Sequence, residues 1–274
     1  MAEDDMKAQV LDAALAHVPF DGWSQTTLRA AIADSGVAPG LGHALFPRGG
    51  IDLAVAYHKA GDALMLDRLA AMDLTALRYR DKRTVADHQK YISELWARFS
   101  DVAATNPHAW IQQRYTAQAI RTPTPDNRMI GFPYTKLMNS NNDVDMAAAL
   151  VMCSVERAEA LGIARDKWIF LHAGTDCHEH NFVSHRHSFT DTPAIRLGGQ
   201  RVLQLADTTL DDISFIDLYS CFPSAVQLGA HSLGLSLQRQ LTITGGLPFA
   251  GGPFNNYVMH AIATVMNDLR NAPN

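Results

Sequence analysis

Through the second half of the chain, short apolar runs alternate with helical patterns, and this alternation limits the fold more than any other feature. The runs "WIFLHAG", "ISFIDLYS" and "LTITGG" read as strands, while "VDMAAALVMCSVERAEALG", "GQRVLQLADTT" and "SAVQLGAHSLGL" read as helices. That order predicts βα units around a sheet, hence an α/β domain. Upstream the pattern differs. Residues 1–86 are rich in Ala, Leu and Asp with short Gly punctuation, and they predict an all-α module. The segment "RYRDKRTVADHQK" is a charged, apolar-poor joint, which places a boundary near residue 87, with a helical module at 1–87 and an α/β domain at 88–274. Just beyond the joint, Ile92, Leu95, Trp96, Phe99 and Val102 recur at helical spacing and make one apolar stripe, stopped by Asn106-Pro107. Residues 107–145 are Pro- and Asn-rich and read as mostly irregular.

With 274 residues, the chain can bury a sizeable core in one large or two small domains. Its net charge of −5 offers no footprint for nucleic acid or an anionic membrane. Cys153, Cys177 and Cys221 are odd in number and widely spaced, which excludes a disulfide framework and a CxxC metal site and predicts a reducing compartment. The acidic opening "MAEDDMKAQVLDAALAHV" lacks the basic start of a secretory signal, and no apolar run approaches the ~20 residues of a membrane span.

Within the first module, "TTLRAAIADSGVAPGLGHALFPRGG" predicts a helix from about Thr27 to Ser35, a turn at Gly36-Val37 and a second helix from Ala38-Pro39. Leu28, Ile32, Val37, Leu41 and Leu45 would pack the pair together as a helix-turn-helix. DNA reading does not follow. The second helix, "APGLGHALF", has no Arg, Lys, Asn or Gln for base edges, and residues 1–86 carry nine Lys/Arg against eleven Asp/Glu. A helical scaffold is the expectation.

The strings "LDAALAHVPFDGWSQTTLRAA", "ALFPRGGIDLAVAYHKAGDALM" and "LTALRYRDK" resemble the N-terminal region of the ninth coenzyme-Q biosynthesis protein family. The resemblance covers residues 6–86 and implies a TetR-like helical fold that binds isoprenoid or quinone lipids rather than DNA. Beyond residue 86 the chain departs from that family, where most of the lipid-pocket helices and a membrane-binding helix would follow.

A second resemblance spans residues 88–274. "FPYTKLMNSNNDVDMAAALVMCSVERAEALGI", "DDISFIDLYSCFPSAVQLGAHSLGL" and "LTITGGLPFAGGPFNNYVMHAIATVM" are similar to acetyl-CoA acetyltransferase-like proteins of the thiolase superfamily. It implies part of a thiolase-like α/β fold and a coenzyme A thioester as substrate, with no further cofactor. Thiolase chemistry needs a thiolate, a base and donors aimed at an oxyanion. In the family's GHP turn the histidine is the base; here Gly251-Gly252-Pro253 stands in its place, with Gly252 at the histidine position. The family's oxyanion loop corresponds to "YSCF", with Tyr219, Ser220 and Cys221. The nucleophilic cysteine and a second catalytic cysteine belong to parts of the family outside the matched stretch. The implied catalytic candidates are therefore Tyr219, Cys221 and His260, and the substrate-binding candidates are Ser220, Gly251, Gly252, Asn255 and Asn256. For Cys221 a small buried thiol is the competing reading, and for His260 a packing or capping role.

The stretch "HAGTDCHEHNFVSHRH" holds five histidines (His172, His178, His180, His185, His187) beside Asp176, Cys177 and Glu179. Two His-x-His pairs could chelate a divalent metal if they lay on strands, but the spacing matches no established metal motif, so the expectation is a polar loop and no metal. Three functional readings stay open: a lipid-binding accessory to ubiquinone synthesis with an inert thiolase part; an acetyl-CoA acetyltransferase completed by a partner chain or self-association; and a fusion without function. The expected location is the cytoplasm, with peripheral contact to the inner membrane under the lipid reading.

Overall fold

The computed structural model describes residues 3–180 and 185–272, with the backbone alone for residues 61–71. The chain divides into two compact units, residues 1–68 and 69–274. The composition change near residue 87 thus falls inside the second unit.

The first unit is helical: α1 (Glu3–Ala14), α2 (Val18–Asp21), α3 (Gln25–Ser35), α4 (Pro39–Leu45) and the start of α5 (Gly50–Met72). Ser24 caps α3 by accepting from the Thr27 amide, and Gly36 ends it in the left-handed conformation at φ 72°. Val10 and Ala14 of α1 close over Leu28, Ala31 and Ile32 of α3, with Val37, Phe46 and Leu53 completing the core. Alpha4 approaches α3 so closely that a Cβ at Gly42 would stand 2.8 Å from the Ile32 side chain. The expected helix pair is present and starts at Pro39, but Leu41 does not pack between its helices: it faces outward, 43% exposed, because the approach runs through Gly42.

The second unit opens on a π-helical turn (Asp73–Leu77), a wide helical ring that is rare outside functional or strained positions. It continues through α6 (Arg78–Arg80), α7 (Val85–Ala103), α8 (Ala117–Arg121), the strands β1 (Met129–Gly131) and β2 (Tyr134–Thr135), α9 (Val155–Ala160), α10 (Pro193–Leu205), α11 (Pro223–Leu233), α12 (Gly246–Phe249) and α13 (Tyr257–Asn271). Alpha7 is its spine. Thr84 caps it, and Ile92, Leu95, Trp96 and Phe99 are buried along one face as their spacing predicts. What ties residues 73–80 to this unit is a buried polar knot. The fully buried Asp73 carboxylate meets His88 Nε2 at 2.8 Å and accepts from Tyr134 Oη at 2.6 Å and Gln227 Nε2 at 3.0 Å. Burial and this carboxylate together push the Tyr134 hydroxyl well above its ordinary range.

Two expectations for this unit are corrected. The three apolar runs form no sheet, and the last bends at Ile243 and Thr244: among the described residues the one sheet is the antiparallel pair β1-β2. Between the runs at 213–220 and 241–246 the backbone-to-backbone contact is Leu218 N to Leu241 O at 2.9 Å; their other hydrogen bonds go through side chains. Strands require neighbours, and around 168–171 there are none to cover Phe170 (63% exposed) and Leu171 (79%). The predicted long helix at 144–162 shrinks to α9, capped by Ser154. Residues 144–150 run extended, with Val144, Met146, Ala148 and Leu150 turned partly inward and the residues between them exposed. Among the described residues no helix is long and apolar enough to cross a membrane.

Candidate functional site

Four segments of the second unit converge on one place: residues 139–142, 217–222, 241–253 and the start of α13. Asp217 organises them. Its Oδ2 accepts from the amides of Ile243 (2.9 Å) and Thr244 (3.1 Å) and the hydroxyls of Thr242 (3.0 Å) and Thr244 (2.9 Å). Its other oxygen accepts from the Tyr257 hydroxyl, which burial and Asp217 push upward in pKa. The two threonine hydroxyls in turn accept from the amides of Gly245 (3.0 Å) and Gly246 (3.1 Å). One carboxylate thereby fixes the entry to the glycine-rich turn through a chain of charge-assisted bonds.

Ser220, fully buried, accepts from the Leu247 amide at 3.2 Å and so holds the first turn of α12. Beside it the amide of Ser140 donates to the Cys221 carbonyl (2.9 Å), that of Asn141 to the Leu247 carbonyl (3.2 Å) and that of Gly252 to the Asn141 carbonyl (2.8 Å). The structure therefore brings Tyr219, Ser220, Cys221, Gly251 and Gly252 together around the 139–142 loop.

The space around Gly252 is filled by side chains of the 139–142 loop. A Cβ at Gly252 would collide with Ser140 Oγ and stand 2.9 Å from Asn142 Oδ1 and 3.3 Å from the Asn141 carbonyl. Gly251, at φ 109°, faces Met146, whose sulfur would lie 2.5 Å from an added Cβ. Cys221 is half-buried, and burial pushes its thiol up to about 12, against a smaller lowering by the backbone amides of Phe222 and its own residue. At neutral pH it is a thiol and a poor nucleophile. Tyr219 is 55% exposed, its ring edge against Tyr257 at 5.7 Å, and burial and Cys221 raise its hydroxyl.

The remaining candidates separate. Asn255 is exposed. Asn256 uses its carboxamide on the backbone of Ala148, accepting from the amide at 3.0 Å and donating to the carbonyl at 3.3 Å. His260 is half-buried on α13, with Nε2 shielded from solvent and without a partner. His260 is also one of the residues around a small cavity of about 10 Å³, with Asn106, His108, Thr244, Gly251 and Tyr257. Burial, then His108, lower the His260 pKa below its ordinary 6.5. The cavity shares Asn106, His108 and Thr264 with a cleft of about 560 Å³ between the end of α7 and α13.

The histidine-rich stretch does other work where it is described; residues 181–184 lie outside. Glu179 accepts from the Ala194 amide at 2.8 Å in the first turn of α10, and Thr175 donates to the Gly198 carbonyl at 3.0 Å. Among the described residues no three His, Cys, Asp or Glu side chains gather closely enough to hold a metal. Asp217, Ser140 and Asn142 were missed by sequence reasoning. Thr242-x-Thr244 opposite an acidic residue in an apolar run was the one signal for the first, and nothing local marked the other two.

No protein-family model matches the chain. A 66-residue stretch is 35% identical to the ubiquinone biosynthesis protein COQ9, mitochondrial, of Drosophila melanogaster, covering 24% of this chain and 20% of that protein. The fold is similar to the crystal structure of a monomeric SCP2-thiolase-like protein type 1 from Mycobacterium smegmatis, with a TM-score of 0.68, 37% identity, 76% of this chain and 46% of that one. A share of that size cannot come from the first unit alone. Both resemblances read from the sequence are thus met, and the chain spans a fifth of the first relative and less than half of the second.

Proposed function

We propose that this chain is a two-unit binding protein of ubiquinone-linked lipid metabolism, in which the second unit holds acyl thioesters on a thiolase-like fold without cysteine-based thiolase catalysis. The observation that carries this reading is the closed position at Gly252, where Ser140 and Asn142 occupy the room a basic histidine would need. The protonated thiol of Cys221 supports it from the nucleophile's side. For the first unit, the stretch shared with COQ9 and the helix pair α3–α4 support an isoprenoid-binding, TetR-like module.

The test uses the whole chain. Isothermal titration with a thioether analogue of acetyl-CoA should give saturable binding, while acetyl-CoA formation from acetoacetyl-CoA plus CoA should stay at the buffer blank. Turnover above the blank would overturn the non-catalytic part. For the first unit, mass spectrometry of solvent extracts should find isoprenoid quinones co-purifying, and empty extracts would remove the lipid role.

A further inference from the structure

Helix α13 carries its apolar residues on the side turned away from its own unit. Contacts define the inward side. Tyr257 is buried and donates to Asp217, while Thr264, Asn267, Asp268 and Asn271 line the cleft toward the end of α7. Apart from the tyrosine, that side is polar. The apolar set is Val258, Ile262, Val265 and Leu269. At 3.6 residues per turn the two sets lie roughly 140° apart around the helix. Val258 is 56% exposed and Leu269 43%, with Ile262 and Val265 half-buried between them. Met259, exposed, and Met266, half-buried, flank the stripe. A surface helix ordinarily turns its apolar stripe to the core. On α13 the one buried residue is Tyr257, at its start.

The spacing of the stripe says what can cover it. Its steps are four, three and four residues, the spacing of a helix–helix seam, and they read the same in both directions. A second α13 laid antiparallel, about a twofold axis between Ala263 and Thr264, sets Val258 against Leu269 and Ile262 against Val265. Each pair then recurs on the far side of the axis. That is the requirement of an isologous contact, in which residue i meets j and j meets i. Charge agrees with this arrangement. Asp268 and Arg270 both stand in the last turn of α13, which has no other Asp, Glu, Lys or Arg. Antiparallel packing keeps the two copies of each at opposite ends of the pair. Parallel packing would bring Asp268 to Asp268 and Arg270 to Arg270 and align the two helix dipoles unfavourably. A membrane is a poorer occupant: with one arginine, no lysine and a net chain charge of −5, the helix offers little to anionic headgroups.

We propose that the outer face of α13 is a homodimer contact, which binds α13 of a second copy of this chain, antiparallel, about an axis between residues 263 and 264. Two fifteen-residue helices bury less than the roughly 1,200 Å² at which standard interfaces begin, so the pairing is weak and concentration-dependent. Its residues are distinct from the exposed apolar side chains at Val151, Met152 and Leu171.

Disulfide trapping in the full chain reads this contact apart from any association through Val151 or Leu171. The background carries Cys153→Ser and Cys177→Ser, which remove the exposed thiols and leave the half-buried Cys221. Chains with Val258→Cys and chains with Leu269→Cys, one set bearing a tag that separates them by size, are mixed and oxidised. Both positions are exposed, and circular dichroism confirms that the variants are folded. The mixture should give the tagged–untagged dimer. Either variant alone should give no dimer above that of the denatured chains, because the twofold sets each position against the other and not against itself. In parallel, flotation with phosphatidylglycerol-containing vesicles should leave the chain unbound. Three results would each overturn the proposal. No dimer from the mixture means that a second copy does not cover the face. Dimer from Val258→Cys alone at the level of the mixture means a parallel or unregistered contact. Flotation that Val258→Glu abolishes assigns the face to a membrane.

Discussion

At the scale of single residues, the cysteines offer the simplest check. Cys153 and Cys177 are exposed, whereas burial pushes the Cys221 thiol up to about 12. Since only the thiolate reacts, Cys221 should label more slowly than an exposed thiol. An aromatic disulfide reagent at pH 8 should therefore count two fast thiols in the native chain and three after unfolding. Gly252 gives a second prediction. Restoring the family's residue by Gly252→His should not create thiolase activity, because its Cβ would displace Ser140 and Asn142. The overpacking should cost about 1–3 kcal/mol, visible as a fall in the melting temperature of the chain.

At the scale of elements, Asp217 connects three pieces of chain: its own run, residues 242–244 and the start of α13. Asp217→Ala would leave the amides of Ile243 and Thr244 without their acceptor, at about 1–3 kcal/mol for each buried donor left unsatisfied. The urea midpoint should fall accordingly, and hydrogen exchange should rise first at residues 243–247. Legibility in the sequence divides along the same line. The stripe of α7, and helices α10 and α11, follow from local periodicity, and the structure keeps them. The 144–150 run was misread because Ala, Met and Leu favour helices, while the alternation of Val144, Met146, Ala148 and Leu150 is blurred by alanines on both faces. The strands failed for a different reason: pairing depends on neighbours that no sequence window contains. At the site, Gly252 was singled out by resemblance alone. What stands beside it was not legible, since Ser140 and Gly252 are far apart in sequence and meet only through the fold.

At the scale of the whole molecule, the extended runs leave large apolar side chains in water. Val151 is 94% exposed, Met152 77% and Leu171 79%. Exposed apolar residues on unpaired extended backbone favour edge-to-edge association. The chain should therefore self-associate as its concentration rises in sedimentation velocity, and the double substitution Val151→Glu, Leu171→Lys should shift it toward monomer without loss of helical signal. A wild-type chain that sediments as one monomeric species throughout would contradict this.

The contact between Asn256 and Ala148 sets the register of one of these runs. A neighbouring strand would fasten residues 144–150 at every second position, but the carboxamide grips a single residue. Sliding by one residue would turn Val144, Met146 and Leu150 to the wrong side, so only steps of two keep the inward face. The run is therefore indexed like a rack against a single pawl. Its allowed positions are discrete, spaced two residues apart, and one side chain selects among them.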